Sequence, residues 1–489
     1  MYTLPAVLDR GRTLFPDAGV SDGTDLVPYD EVYDHARRLA GTLADAGVEP
    51  GDVVAVADWN TPRFFELLYA VTGMGATVYP VNLNLPPADV GYTLEASDTS
   101  RLVYSDDFAA IGDAFPGPTH AVDDLALGEP ASLEVDQEAH AVMLFTSGTT
   151  GRPKAVRYRH REFVQGALAI AHQLAEYDTP AAIAADDALY PGIPMFHLLS
   201  WGSVLIAPYL GADLVLAGRF DPERLAGALA DGTATWTNLV PTMLRQVLAT
   251  DADLSGGKVL AGGSAIPADL ASAMADRGMG FTTIYGGTDM LAASVAIETD
   301  YARDHGGADY RRRVTHPVPF GEFRLERREG MAEDMGAIRF RAPWLPGEYY
   351  GDPEASEAAY VDGWFETGDL GRLHPDGGLE VLDRLGDAIK SGGEWIPTSV
   401  LESVIAEVPG VGAAAVVGRA DDEWGERPVA AVTGTASDEA IRAGLEAAVE
   451  AGRLNDWWLP DEIERLDELP LTSTGKVQKT ALRERFEGA

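Results

Sequence analysis

FTSGTTGRPKAV, residues 145–156, gathers two glycines, four hydroxyl side chains and one lysine within twelve positions. Small residues let backbone N–H groups approach an anion, hydroxyls add donors and a lysine adds charge, so the stretch reads as a phosphate-holding loop. It is not a Walker A loop. Only two residues separate Gly148 from Gly151, Pro153 stands directly before Lys154, and Ala155 follows where Ser or Thr is needed. On this segment alone a Gly/Thr-rich surface turn has the same composition. The preceding AVMLF (141–145) is apolar and β-prone, which predicts a strand feeding the loop.

Composition limits what such a loop can serve. The chain has 489 residues, 46% of them apolar, enough for about three folding units. No apolar run of about 18 residues occurs, so no membrane span is expected. MYTLPAVLDRGRTLFPDAG lacks the basic start and apolar core of a signal peptide, which points to the cytoplasm. Cysteine is absent, excluding disulfides, Cys-ligated metals and a Cys nucleophile. The net charge of −40 opposes any role on nucleic acid. The acidity is spread along the chain and the bases are nearly all Arg, which reads as adaptation to high internal salt. Only five lysines occur: Lys154, Lys258, Lys390, Lys476 and Lys479. Four of them sit in GRPKAV, AIKSGGEW and STGKVQK, where a compact ammonium could meet phosphate.

Periodicity organises the rest. Val32, Ala36, Leu39 and Leu43 predict a helix over 29–47. DVVAVAD (52–58) reads as a strand, 61–75 as a helix and ATVYPVN (76–82) as the next strand. The alternation continues to about residue 300 and predicts an α/β fold with largely parallel sheets. Short strands and turns follow over 317–385, then a small α/β unit after 386.

Five stretches, in order over about 330 residues, carry a resemblance: FTSGTTGRPKAV, YGGTD (285–289), GWFETGDLG (363–371), DRLGDAIKSGGEWI (383–396) and PLTSTGKVQK (470–479). Together they resemble the adenylate-forming superfamily of acyl-CoA synthetases, luciferases and peptide-synthetase adenylation domains. The resemblance implies an adenylation domain over 1–385, with parallel-sheet α/β subdomains and a small β-rich one. It implies a mobile α/β C-terminal domain over 386–489. The implied reaction joins a carboxylic acid to AMP from ATP, releases pyrophosphate, and passes the acyl group to coenzyme A. Its cofactors are ATP, Mg2+ and coenzyme A; its partners are a small-molecule acid and CoA, with homodimer formation left open.

The resemblance also implies residue roles. Thr146, Ser147, Gly148, Thr149, Thr150 and Lys154 would guide the pyrophosphate end. Thr288 would bond the α-phosphate, and Asp289 with Thr149 would hold Mg2+. Gly262, Gly263 and Ser264 would lie beside the adenine, with Tyr285 stacked on it. Asp369 would take the ribose hydroxyls, Arg384 would support the same sugar-phosphate, and Lys476 would bridge carboxylate and α-phosphate. Gly386 would be the hinge, and Lys390, Gly392, Gly393 and Trp395 would form the loop presented for thioester formation. Three positions depart from the family: Asp289 for Glu, Ala155 for Gly, and Gly386 for Asp or Lys.

PMFHLLSWG (194–202), WNTPRFFELLYAVTGMGA (59–76) and SGGEWIP (391–397) resemble the medium- and long-chain fatty acyl-CoA synthetase branch. His197 and Trp201 would flank the acyl site, with Trp201 gating a tunnel. No Arg or Lys lies within 190–206 to pair a second carboxylate. Aryl acids, o-succinylbenzoate and carrier-protein loading are the alternatives.

Overall fold

The computed structural model describes residues 2–146, 152–470 and 477–487. The loop positions Ser147, Gly148, Thr149 and Thr150, and Lys476, lie outside the described residues. The chain forms two compact units: one of residues 1–266, 270–322 and 341–365, the other of 267–269, 323–340 and 366–489.

The larger unit holds two sheets. One runs Thr119–Ala121, Arg101–Tyr104, Val53–Ala57, Thr77–Pro80, His140–Phe145, Ala155–Arg159. Its pairs are parallel except the last, where Phe145 faces Ala155 in an antiparallel hairpin. The described ends of the phosphate-loop sequence thus flank it with two antiparallel strands. Thr146 N–H donates to the Lys154 carbonyl (2.9 Å), and Lys154 N–H to Thr146 Oγ1 (3.0 Å), closing its base. Val53, Ala55 and Ala57 are fully or nearly buried, as a parallel strand covered on both faces requires. The helix Tyr29–Asp45 buries Val32, Ala36, Leu39 and Leu43. The helix Pro62–Gly73 starts at Thr61, whose side chain accepts from the Phe64 amide at 3.0 Å.

In the second sheet of this unit, Gly280–Gly287, Lys258–Gly262, Trp236–Leu239, Ala188–Pro191, Asp213–Val215 and Gly19–Ser21 are successive parallel neighbours. Leu291–Val295, Val314–Pro317 and Leu26–Pro28 add antiparallel flanks.

The smaller unit joins strands Met335–Arg341, Trp364–Leu373 and Leu379–Arg384 to an α/β portion. There Val411–Asp421 and Gly425–Gly434 pair antiparallel, with Glu462–Arg465 parallel to the second. Helices Thr398–Ala406 and Asp438–Glu450 cover that sheet's core. Met331, Met335, Leu370 and Leu382 share a core with Ala388, Trp395 and Val400, so the chain packs across residue 386. The fold is the mixed α/β class read from the sequence, with mixed and parallel sheets.

Candidate active site

In the larger unit the expected site residues issue from the carboxyl ends of parallel strands, where open α/β sheets bind ligands. Ala188–Pro191 leads into 194–202, Lys258–Gly262 into Gly263 and Ser264, and Gly280–Gly287 carries Tyr285 on to Thr288 and Asp289. Gly262 pairs with Ile284 in register, which sets the 262–264 turn beside Tyr285. A register shift between Tyr285 and Gly286 bulges the strand there. Tyr285, Thr288 and Asp289 are half-buried; Gly263 and Ser264 are exposed.

Residues 198–202 form one turn of left-handed helix: φ is 51° at Leu198, 50° at Leu199, 55° at Ser200, 54° at Trp201 and 81° at Gly202. Left-handed backbone costs about 1–2 kcal/mol per non-glycine residue, so four in a row need support. Asn238 bonds the turn itself, and Asn60 fixes the segment that leads into it. Asn60 donates to the Pro191 and Ile193 carbonyls (3.1 and 2.9 Å) and accepts from Met195 N–H (2.7 Å). Asn238 accepts from Ile193 N–H (3.1 Å) and donates to the Ser200 carbonyl (2.8 Å). Ser200 Oγ donates to the Ile193 carbonyl at 2.8 Å.

The turn aims Trp201 into a cavity lined also by Phe163, Ala167, Ile170, Leu198, Gly202, Gly263, Ile284, Gly286 and Leu291. Every described lining residue is apolar or glycine. A Cβ on Gly262 would lie 2.6 Å from Ile284 Cγ2 and 3.1 Å from Trp201 Cη2, so glycine there makes room for the indole. The cavity offers ≈ 70 Å³, about five waters at roughly 10–15 Å³ each. His197 is half-buried against Phe196 (ring centroids 4.8 Å) and is not among the cavity residues described.

Around Thr288 and Asp289 stand three tyrosines that the sequence reading did not single out. Tyr158 Oη donates to the Thr288 carbonyl (2.7 Å) and Tyr360 Oη to the Asp289 carbonyl (3.0 Å). Tyr349 packs against Tyr360 (ring centroids 5.8 Å), and Lys154 Nζ lies 4.8 Å from the centre of the Tyr349 ring. Lys154, Thr288 and Asp289 are thereby brought together. Among the described residues no three His, Asp or Glu side chains gather as a metal cluster. A single carboxylate nevertheless fits Mg2+, which is commonly held by one or two carboxylates with substrate phosphates and water.

In the smaller unit Asp369 and Arg384 are cross-strand neighbours. Arg384 Nη1 lies 3.1 Å from Asp369 Oδ1; the carboxylate is buried and the guanidinium exposed. Lys390 is exposed, 5.9 Å from the Trp395 ring centre. Gly392 (φ 57°) lies under Trp424 and Trp457, and its amide donates to the Trp424 carbonyl (2.8 Å). Gly393 approaches Gly330 so closely that a Cβ on Gly330 would overlap the Gly393 carbonyl. Trp395 Nε1 donates to the Glu329 carbonyl (3.1 Å). Gly386 is exposed, with nothing within 4 Å of a built Cβ.

Two lysines have structural partners. Lys258 Nζ donates to both oxygens of Asp187 (2.9 and 2.8 Å). Lys479 Nζ lies 2.8 Å from Glu402 and 2.5 Å from Thr398 Oγ1. Burial opposes its charge, but Glu402 and Asp383 outweigh burial and hold its pKa above the ordinary value.

Residues 11–350 match the family model described as AMP-binding enzyme, and 400–476 match the AMP-binding enzyme C-terminal domain. A long-chain-fatty-acid–CoA ligase of Thermus thermophilus is 33% identical, over 94% of this chain and 90% of the ligase. A feruloyl-CoA synthase of an Amycolatopsis species is 32% identical, over 98% of each. Among solved structures, o-succinylbenzoate CoA synthetase from Bacillus subtilis, with its acyl-adenylate intermediate, superposes with a TM-score of 0.83 at 26% identity, over 98% of this chain and 97% of that one. The chain belongs to the AMP-binding enzyme family and is an AMP-forming acid–CoA ligase, with ATP, Mg2+ and coenzyme A as its cofactors.

Proposed function

We propose that the acid is a medium- or long-chain fatty acid, activated to acyl-AMP and then transferred to CoA. The observation that supports this reading is a cavity beside Trp201 whose described lining residues are all apolar or glycine, next to a segment without Arg or Lys. Swinging the indole away would open it to an alkyl chain, while a second carboxylate would find no cation in the lining. The gate would rest on a turn bonded by Asn238 at Ser200 and preceded by a segment that Asn60 holds, so the indole could move without unfolding its support.

The remaining roles follow the family pattern. Thr146, Ser147, Gly148, Thr149, Thr150 and Lys154 take the pyrophosphate end, Thr288 the α-phosphate, and Asp289 with Thr149 holds Mg2+. That ion supplies neutralisation of charge on the triphosphate oxygens. Gly262, Gly263, Ser264 and Tyr285 receive adenine, Asp369 and Arg384 the ribose, and Lys476 joins carboxylate to α-phosphate. Residues 386–489 then rotate at Gly386 so that Lys390, Gly392, Gly393 and Trp395 serve the thioester step. His197 lies at the acyl end. The acidic surface suits a cytoplasm at high salt.

The test is pyrophosphate release at molar KCl over acetate through stearate, benzoates, hydroxycinnamates and o-succinylbenzoate. The fatty-acid reading expects the best kcat/KM on an acid of medium chain length or longer. A clear maximum on a benzoate or hydroxycinnamate would move the enzyme to the aryl acids.

A further inference from the structure

The helix Thr398–Ala406 begins without a cap of its own. Its N-cap residue is Pro397, which makes no side-chain bond, and its first turn holds no acidic residue. An uncapped start leaves amide donors unsatisfied, and the cost is greatest where they are buried. Thr398 is fully buried. The acceptor comes from another element, 15 positions back. Asp383, next to the end of the strand Leu379–Arg384, accepts on Oδ2 from Thr398 N–H (2.5 Å) and from Thr398 Oγ1 (2.6 Å). Its Oδ1 accepts from Arg384 N–H at 2.8 Å. The carboxylate belongs to a residue only 8% exposed, so these are buried, charge-assisted bonds at a helix N-terminus. On its other side the Thr398 hydroxyl accepts from Lys479 Nζ (2.5 Å), which also pairs with Glu402 of the same helix (2.8 Å).

We propose that Asp383 is a positioning residue, a releasable cap that latches the helix Thr398–Ala406 in one of the two arrangements that the two half-reactions use. This rests on the rotation at Gly386 proposed above. Residue 386 lies between the carboxylate and the helix it caps: Asp383 precedes it, while Thr398, Glu402 and Lys479 follow it. When the segment after 386 turns as a body, Lys479 keeps Thr398 and Glu402. Asp383 must let go of Thr398, because bonds of 2.5 and 2.6 Å do not outlast a displacement of about an ångström. Ser399 Oγ, which donates to the Leu382 carbonyl, parts in the same movement. A cap is worth about five-fold in a helix equilibrium, strong enough to bias one arrangement and weak enough to open at every turnover. The latch also adjoins the nucleotide. Arg384, whose amide the same carboxylate holds, faces Asp369 across the strand pair, so cap and proposed ribose contacts share one stretch of backbone.

Release hands the Thr398 amide to water, and that gives the readout. Hydrogen exchange of the first turn of this helix is followed by mass spectrometry on the whole wild-type chain in two states. One holds a non-hydrolysable ATP analogue; the other holds a non-hydrolysable acyl-AMP analogue with CoA. Protection should differ between the two states by about five-fold or more. Two variants are then assayed in each half-reaction alone. Thr398→Val keeps the shape and the backbone bond and removes the hydroxyl; Asp383→Asn removes the charge and one acceptor. Both should change the ratio of the two half-reaction rates, Asp383→Asn by about five-fold or more and Thr398→Val by less. Equal slowing of both half-reactions with a lower melting temperature makes Asp383 a static cap and overturns the proposal. Gly386→Pro is run in parallel. If it delays thioester formation while first-turn protection is equal in the two states, rotation stands and the latch is overturned. If it alters neither half-reaction and protection is equal, the rotation reading fails and the proposal with it.

Discussion

His160 is fully buried and fixed by two bonds: Nδ1 accepts from Leu4 N–H (3.2 Å) and Nε2 faces the Thr72 carbonyl (3.1 Å). Burial lowers its pKa to about 4. The folded form resists protonation that the unfolded form accepts near 6.5, so the stabilisation is complete above pH 6.5 and is lost as pH falls towards 4. The loss attributable to this ring is about 2 kcal/mol by pH 5. Urea unfolding of wild type and His160→Gln at pH 7.5 and 5 checks it: the variant should be weaker at pH 7.5 but fall less on acidification. Trp201→Ala removes the indole beside Gly262. It should shift the acid-chain profile towards longer acids while KM for ATP stays within about two-fold, read by pyrophosphate release. Equal loss on every acid with a lower melting temperature would make Trp201 ordinary packing. Asp369, Arg384 and Lys154 were legible in the sequence because each sits in a local motif. Tyr360 and Asn60 were not, since their partners lie 71 and 131 positions away and nothing near them in sequence marks the contact.

Helices and strands follow their apolar spacing closely, as over 29–45 and 53–57. The left-handed turn does not. HLLSWG has the spacing of an ordinary helix, and the turn instead holds a bond from Asn238, on another element, to the Ser200 carbonyl, while Asn60 fixes the segment before it. The segment around Gly386 also hides its partners. Asp383, before Gly386, accepts from Thr398 N–H (2.5 Å) and Thr398 Oγ1 (2.6 Å) beyond it. Arg483 on the helix Lys479–Glu487 donates to the Gly386 carbonyl (3.2 Å) and pairs with Asp387 (3.0 Å). Gly386 has no positive φ here and open space at its Cβ, so Gly386→Ala should fold with unchanged or slightly greater stability, by about 0.4–1 kcal/mol. Gly386→Pro should form adenylate but lag in thioester formation, because φ is locked. Each half-reaction, followed alone by rapid quench, checks this. If Gly386→Pro slows neither, rotation does not occur at this residue.

Across the whole molecule the charge of −40 makes ionic strength a structural variable. Unfolding free energy and activity should rise from dilute buffer to molar KCl as like charges are screened, with the Debye length shrinking from ~30 Å at 0.01 M to ~3 Å at 1 M. Flat curves would remove the high-salt reading. The scarcity of lysine has another outcome. Acyl-AMP is a mixed anhydride, and an enzyme that makes it bathes its own surface in an acylating agent whenever CoA runs short. A protonated amine is a poor nucleophile, and of the four described lysines Lys479 is held charged beside Glu402 and Lys258 is clamped on Asp187. Turnover without CoA, followed by peptide mass spectrometry, should therefore find acyl amides on Lys154 or Lys390 well before Lys258 or Lys479. A fold so poor in amines has little for its own intermediate to damage.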